Sequence, residues 1–143
     1  MASTLGNLAL WLSFLFSVLQ FIVSTKNINS IIIFNRIAVT GLLASTLISF
    51  FLLMYCHVTS DFAVINVFQN SHTTKPLLYK ISGVWGNHEG SMLLWMLVLS
   101  ITNYFIFKLY NKKNSIFVSK TLQIQAVITI GFLLFIIITS NPF

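Results

Sequence analysis

The stretch Leu5-Gly6-Asn7-Leu8-Ala9-Leu10-Trp11-Leu12-Ser13-Phe14-Leu15-Phe16-Ser17-Val18-Leu19-Gln20-Phe21-Ile22-Val23-Ser24 carries no charge over twenty residues. A helix rising 1.5 Å per residue covers about 30 Å in that length, the thickness of a bilayer's hydrocarbon. Three further stretches are of similar length and apolarity: Ile37 to His57, Ser91 to Tyr110, with Lys108 near its end, and Leu122 to Ser140. The second extends back toward Ile31 if Arg36 snorkels to the surface. Backbone groups in lipid must bond within the segment, so such spans are helical unless a barrel closes, and no ten-residue alternating pattern is present. The expected fold is therefore an all-α integral membrane protein, a single membrane domain over 1–143 with about four transmembrane helices at 5–24, 37–57, 91–110 and 122–140. Composition agrees. Charged residues make up 7% of the chain and hydrophobic ones 57%, whereas a soluble domain carries about 25% charged residues to face water.

The connectors set the orientation. Lys26 and Arg36 lie between the first two spans, and Lys108, Lys112, Lys113 and Lys120 lie around the junction of the last two, with no acid among them. Basic residues stay on the cytoplasmic or matrix side. Both termini and the 58–90 connector are then expected on the periplasmic or intermembrane-space side. That connector holds both acids, Asp61 and Glu89, together with His72, His88 and Pro76. Long connectors are uncommon and often functional. Its middle, Gln69 to Pro76, is polar and turn-rich, and Asp61 to Gln69 has no assignable secondary structure.

The connector ends in Tyr79-Lys80-Ile81-Ser82-Gly83-Val84-Trp85-Gly86-Asn87-His88-Glu89-Gly90-Ser91-Met92-Leu93-Leu94-Trp95, the densest group of chemistry-bearing side chains in the chain. Gly86 and Gly90 permit a turn or a close backbone approach. Ser91 is a candidate cap for the third span. Glu89 suits the positive end of a helix and is a candidate partner for Lys80 or for an arginine of a partner chain. Trp85 and Trp95 serve as interfacial anchors or as flat faces for a neighbour. His88 and Glu89 read first as a polar clamp between helices. Catalytic signatures are missing. Met92 stands where an HExxH motif needs its second histidine, and P-loop, GxSxG and Rossmann patterns are absent. The single cysteine, Cys56, forms no intrachain disulfide, and without CxxCH the chain carries no covalent c-type haem. Cys56 and His57 are adjacent and diverge on a helix, so they read as packing rather than as a metal pair. No metal site is expected. The net charge of +6 is spread over connectors rather than one face, which excludes a nucleic-acid partner.

Read together, Ser60-Asp61-Phe62-Ala63-Val64, Gln69-Asn70-Ser71, Pro76-Leu77-Leu78-Tyr79-Lys80-Ile81-Ser82 and Val84-Trp85-Gly86-Asn87-His88-Glu89-Gly90-Ser91-Met92-Leu93-Leu94-Trp95 resemble the N-terminal region of CcmF/NrfE-type cytochrome c haem lyase subunits of cytochrome c maturation system I. The resemblance runs from about Arg36 to Phe143. It implies a membrane piece of a complex that attaches haem to the CxxCH thiols of apocytochrome c. Trp85, Gly86, His88, Glu89, Gly90, Ser91 and Trp95 would form a docking surface, with a secondary motif of Asp61, Asn70, Pro76 and Tyr79. His88 would hydrogen-bond a haem propionate or a partner carbonyl. Family members are several times longer, and their tryptophan-rich segment and haem-ligating histidines lie beyond the matched region. His57, His72 and His88 do not match those ligands. The resemblance thus implies haem b in the assembled complex, held by ligands on partner chains and not by this chain alone. The partners it implies are the remaining lyase fragments, a haem carrier, haem-handling membrane proteins and apocytochrome c. The chain alone is not expected to catalyse.

Isoleucine (18), phenylalanine (14) and asparagine (11) are abundant, and lysine outnumbers arginine seven to one. AT-rich codons produce this bias, which points to an organelle genome, a mitochondrial one first, and so to the mitochondrial inner membrane, or to a bacterial inner membrane if the gene is not organellar. The resemblance implies one piece of a split haem lyase, and split versions in mitochondria agree with this bias. The alternative is a structural accessory subunit of a mitochondrial respiratory membrane complex. An ion-translocating role is disfavoured because no ionisable residue lies near the centre of a span.

Overall fold

A computed structural model describes residues 1–25, 32–110 and 115–143. Six helices follow one another: α1 (Ala2–Thr25), α2 (Ile32–Thr59), α3 (Ile65–Asn70), α4 (Leu77–Gly83), α5 (His88–Tyr110) and α6 (Ser115–Thr139). Among the described residues there is no strand, and α1, α2, α5 and α6 are each long and apolar enough to cross a membrane. They close a four-membered ring in which α1 packs on α2 and α6, and α5 packs on α2 and α6.

The helices outrun the expected spans. α5 begins at His88 rather than Ser91, and α6 begins seven residues before Leu122. An apolar window finds the part of a helix that fits hydrocarbon, whereas the helix itself continues until its backbone is capped. Lys120 is therefore helical, its charge carried outward on a long stem. The 58–90 connector also departs from a plain loop, since it folds into α3 and α4.

A large apolar cluster including Leu10, Leu42, Leu53, Leu93, Leu133 and Ile136 fills one part of the ring, and Val39, Phe107, Val118 and Leu122 fill another. Helices in lipid gain little from hiding apolar surface, so close approach and polar bonds hold them together. Gly41 accommodates the Phe16 ring, and Gly6 accommodates Phe143. Ser13 Oγ donates to Ser45 Oγ (2.9 Å), Thr46 and Ser100 hydroxyls pair at 2.8 Å, and Ser49 Oγ donates to the Gly6 carbonyl (3.1 Å).

Both termini lie at the end of the ring that carries α3 and α4. Asn141 Nδ2 donates to Asn7 Oδ1 (3.3 Å), and Ala2 packs against Cys56, Val64 and Val67. Arg36, Lys108 and Lys120 belong to the opposite end, and Lys108 Nζ sits 5.6 Å from the Tyr104 ring centroid. Lys26, Lys112 and Lys113 lie outside the described residues.

The exit from α2 is a tight stop. Asp61 N–H donates to the Cys56 carbonyl (2.9 Å) and Ser60 N–H to the His57 carbonyl (3.2 Å), the paired bonds of a Schellman turn. That turn needs a left-handed residue, and Ser60 supplies it at φ 55°. A β-branched side chain tolerates this region worst. Ser60→Ile is expected to cost roughly 1–2 kcal/mol, read as a lower melting temperature of the purified protein.

Candidate functional site

The α3–α4 connector and the start of α5 form a cap held by carboxamides. Asn87 is its hub. As the residue preceding α5, its Oδ1 accepts the Gly90 N–H at 2.7 Å, the bond an N-cap makes to the third helical residue. Its Nδ2 donates to the Gly83 carbonyl at the end of α4 (2.9 Å). It also exchanges two bonds with Asn66 of α3: Asn66 Nδ2 to Asn87 Oδ1 at 3.0 Å, and Asn87 Nδ2 to Asn66 Oδ1 at 3.1 Å. One side chain thereby ties three helices. Asn66 Nδ2 donates further to Glu89 Oε2 (3.2 Å), so Glu89 stays in the first turn of α5, where the helix dipole favours a carboxylate.

Gly90 completes the lock. A Cβ there would overlap the Val84 carbonyl oxygen, and Val84 itself is fully buried in the large core cluster. The α4–α5 backbone crossing is closed for any residue but glycine. Gly86 is different, since a Cβ there meets nothing nearer than 3.5 Å.

The structure corrects two expectations. Ser91 does not cap α5; Asn87 does, and Ser91 Oγ donates back to the His88 carbonyl (2.9 Å) inside the helix. Lys80 bonds not Glu89 but Ser60 Oγ (2.6 Å), because α4 lies along the exit of α2 while Glu89 faces α3. The two glycines divide the roles expected of them: Gly86 lies in the α4–α5 turn, its N–H donating to the Gly83 carbonyl (3.3 Å), and the close backbone approach occurs at Gly90.

The secondary motif belongs to the same cap but to its frame. Asp61 Oδ1 accepts the Ala63 N–H (3.2 Å), forming an Asx turn after α2. Asn70 Nδ2 donates to the Asn66 carbonyl (2.9 Å), and Lys75 Nζ donates to the Asn70 carbonyl (2.8 Å). The Pro76 carbonyl accepts the N–H groups of Tyr79 (3.0 Å) and Lys80 (3.2 Å), opening α4. His72 pairs with Thr74 Oγ1 (2.9 Å) on the exposed surface.

Over this frame the cap exposes apolar side chains. Ile65, Phe68, Leu77, Leu78, Tyr79 and Trp85 are all exposed, and no residue of α4 is buried. Exposed apolar clusters on a rigid, polar-bonded frame mark interaction surfaces. His88 stands at the edge of a shallow groove floored by Gly131 and walled by Met92, Phe132 and Phe135. Its ring meets Phe135 edge-on at 6.3 Å, and Nδ1 lies 3.5 Å from Ser140 Oγ. Trp95, two turns into α5, is 65% exposed on a helix that otherwise packs on α2 and α6. Among the described residues no three histidine, cysteine or acidic side chains come together. Cys56 packs with Val64 and Val67, while His57 turns its Nδ1 to its own helix at the Leu53 carbonyl (3.1 Å).

Asn87 and Asn66 are the functional-site residues that sequence reasoning missed. Asn87 had a readable signal, a strong capping residue three positions before a glycine. Asn66 had none, because its partner lies on another helix.

No family model matches the chain. It is 52% identical over 95 residues to the cytochrome c-type biogenesis protein CycK of Bradyrhizobium diazoefficiens, covering 66% of this chain and 14% of that protein. To the cytochrome c-type biogenesis protein CcmF of Haemophilus influenzae it is 37% identical over 147 aligned positions, covering 100% of this chain and 23% of the relative. The probable cytochrome c-type biogenesis protein NrfE of Escherichia coli is 36% identical over 111 residues. A solved structure of the cytochrome c heme lyase CcmF matches all of this chain and 25% of its own with a TM-score of 0.92; at 23% identity that likeness speaks for the fold. The chain spans roughly a seventh to a quarter of the relatives it matches.

Proposed function

Because this chain belongs to the CcmF-type cytochrome c biogenesis proteins, we propose that it is the N-terminal membrane piece of a haem lyase whose remaining parts are separate chains. The family places it in cytochrome c maturation. The observation that carries the finer reading is the cap. Asn66, Asn87 and Gly90 hold α3, α4 and α5 in fixed relation, and that frame displays Leu77, Leu78, Tyr79 and Trp85 outward. A surface so stiffly built and so apolar suits docking to the other lyase fragments. Basic residues at the opposite end support a cap facing the periplasm or intermembrane space, and the isoleucine-, phenylalanine- and lysine-rich composition supports a mitochondrial inner-membrane location.

Haem b belongs, in this reading, to the assembled complex. The placement of the chain's own histidines supports this reading: His57 is fully buried, His72 is bonded to Thr74, and His88 sits at the Met92–Phe135 groove with Nδ1 3.5 Å from Ser140 Oγ. Contact with haem would come through a propionate at His88 or an edge against Trp85 or Trp95, with the iron held by partner chains. Apocytochrome c and a haem carrier would meet the complex on the cap side.

The test is affinity purification of the tagged chain from membranes in mild detergent, with identification of its partners and a visible spectrum. Co-purification of a chain carrying the tryptophan-rich segment, together with b-type haem absorbance, is the expected result. Recovery with a respiratory oxidoreductase and no such partner would overturn the reading in favour of an accessory subunit.

A further inference from the structure

We propose that the bundle holds a small water cluster inside the membrane, bound by the carboxamides of Gln20, Asn103 and Gln125. Gln20 and Asn103 are each 0% exposed. Asn103 Oδ1 and Nδ2, Gln20 Oε1 and Gln125 Oε1 are buried and have no hydrogen-bond partner among the described residues. Ser13 and Ser45, and Thr46 and Ser100, act as glue and are bonded to each other; the other unpartnered buried group on a long helix among the described residues, His57 Nε2, lies near the cap end of α2, away from this layer.

The three carboxamides share one layer. Gln20 Nε2 donates to the Leu122 carbonyl (3.0 Å), which brings α1 to α6 there. Leu122 and Phe107 belong to one apolar cluster. Gln125 stands about one turn beyond Leu122 on α6, and Asn103 about one turn beyond Phe107 on antiparallel α5, both toward the cap. Still further toward the cap, the second cluster begins with Leu97 and Met96 on α5 and Leu133 on α6. The carboxamides therefore lie where the apolar core is interrupted.

Burial selects the ligand. A bare amide in hydrocarbon costs several kcal/mol, yet a partner helix cannot reach a fully buried side chain and lipid tails carry no donors. Water fits the count. Three orphan oxygens need three donated protons, and one orphan N–H₂ needs an acceptor. Two waters joined by one bond supply three protons outward and accept from Asn103. A buried water of this kind makes about three bonds to polar groups that lack partners.

Pulsed hydroxyl-radical footprinting of the purified assembly in nanodiscs, in ¹⁸O-labelled water, reads the site directly. Radicals formed from a trapped water label its neighbours whether or not bulk solvent reaches them. Leu122 and the nearly buried Phe107 are expected to take up label, whereas Leu53 and Leu133, as shielded as Leu122 but in the larger cluster, stay silent. In Asn103→Leu the label at Phe107 and Leu122 should fall to the level of Leu53. If that variant does not assemble, Gln125→Leu, at a half-exposed position, carries the same comparison. Wild-type Phe107 and Leu122 as silent as Leu53, or label unchanged in the variants, would overturn the proposal.

Discussion

Replacing Gly90 with alanine is expected to dislodge the cap and to abolish assembly of the chain into its complex. The added methyl group would occupy the position of the Val84 carbonyl oxygen. Backbone cannot swing aside as a flexible side chain does, and Val84 is anchored in the core beside Leu93. Overpacking of a core costs about 1–3 kcal/mol, and here the shift also pulls the Gly90 N–H from Asn87 Oδ1, so the upper part of that range is expected. Gly86→Ala is the matched control, because its Cβ meets only ordinary contacts. It should stay within about 0.5 kcal/mol of wild type. The measurement is thermal unfolding of both variants in detergent, alongside recovery of co-purifying chains. Equal melting temperatures for Gly90→Ala and Gly86→Ala would show that the crossing is looser than described.

The second large effect is expected at Asn87. Alanine there removes the α5 cap, worth about 1 kcal/mol, and strips the partly buried Asn66 amide of its reciprocal partner, a further 1–3 kcal/mol or so. Asn87→Asp separates the two contributions. It keeps an acceptor for the Gly90 N–H but cannot donate to the Gly83 carbonyl or to Asn66 Oδ1, and it places a second carboxylate two residues from Glu89. The expected order of melting temperature is wild type, then aspartate, then alanine. An aspartate variant as stable as wild type would mean that the cap bond alone matters and the ties to α3 and α4 do not.

The architecture was legible because lipid leaves few choices. Four long apolar stretches of the right length have to be helices, and basic residues in two connectors against both acids in the third agree with which connectors share an end. The family resemblance rested on the 60–95 segment, and the relatives bear it out. What was misread were partnerships. Ser91 was expected to cap α5 because it directly precedes the apolar run, but the helix starts three residues earlier, where Asn87 meets the polar environment of the cap. Charge alone makes Lys80 one candidate partner of Glu89, whereas the packing of α4 gives Lys80 to Ser60.

The sequence by itself determined the solvent of this protein and the number of its spans, because transfer of charge into hydrocarbon is costly wherever the residue sits. Only the tertiary structure decided which carboxamides are bonded and which are not. A hydrogen bond depends on the neighbour a side chain meets, and Asn66, Asn87, Gln20 and Asn103 meet theirs, or fail to, across helices distant in the chain.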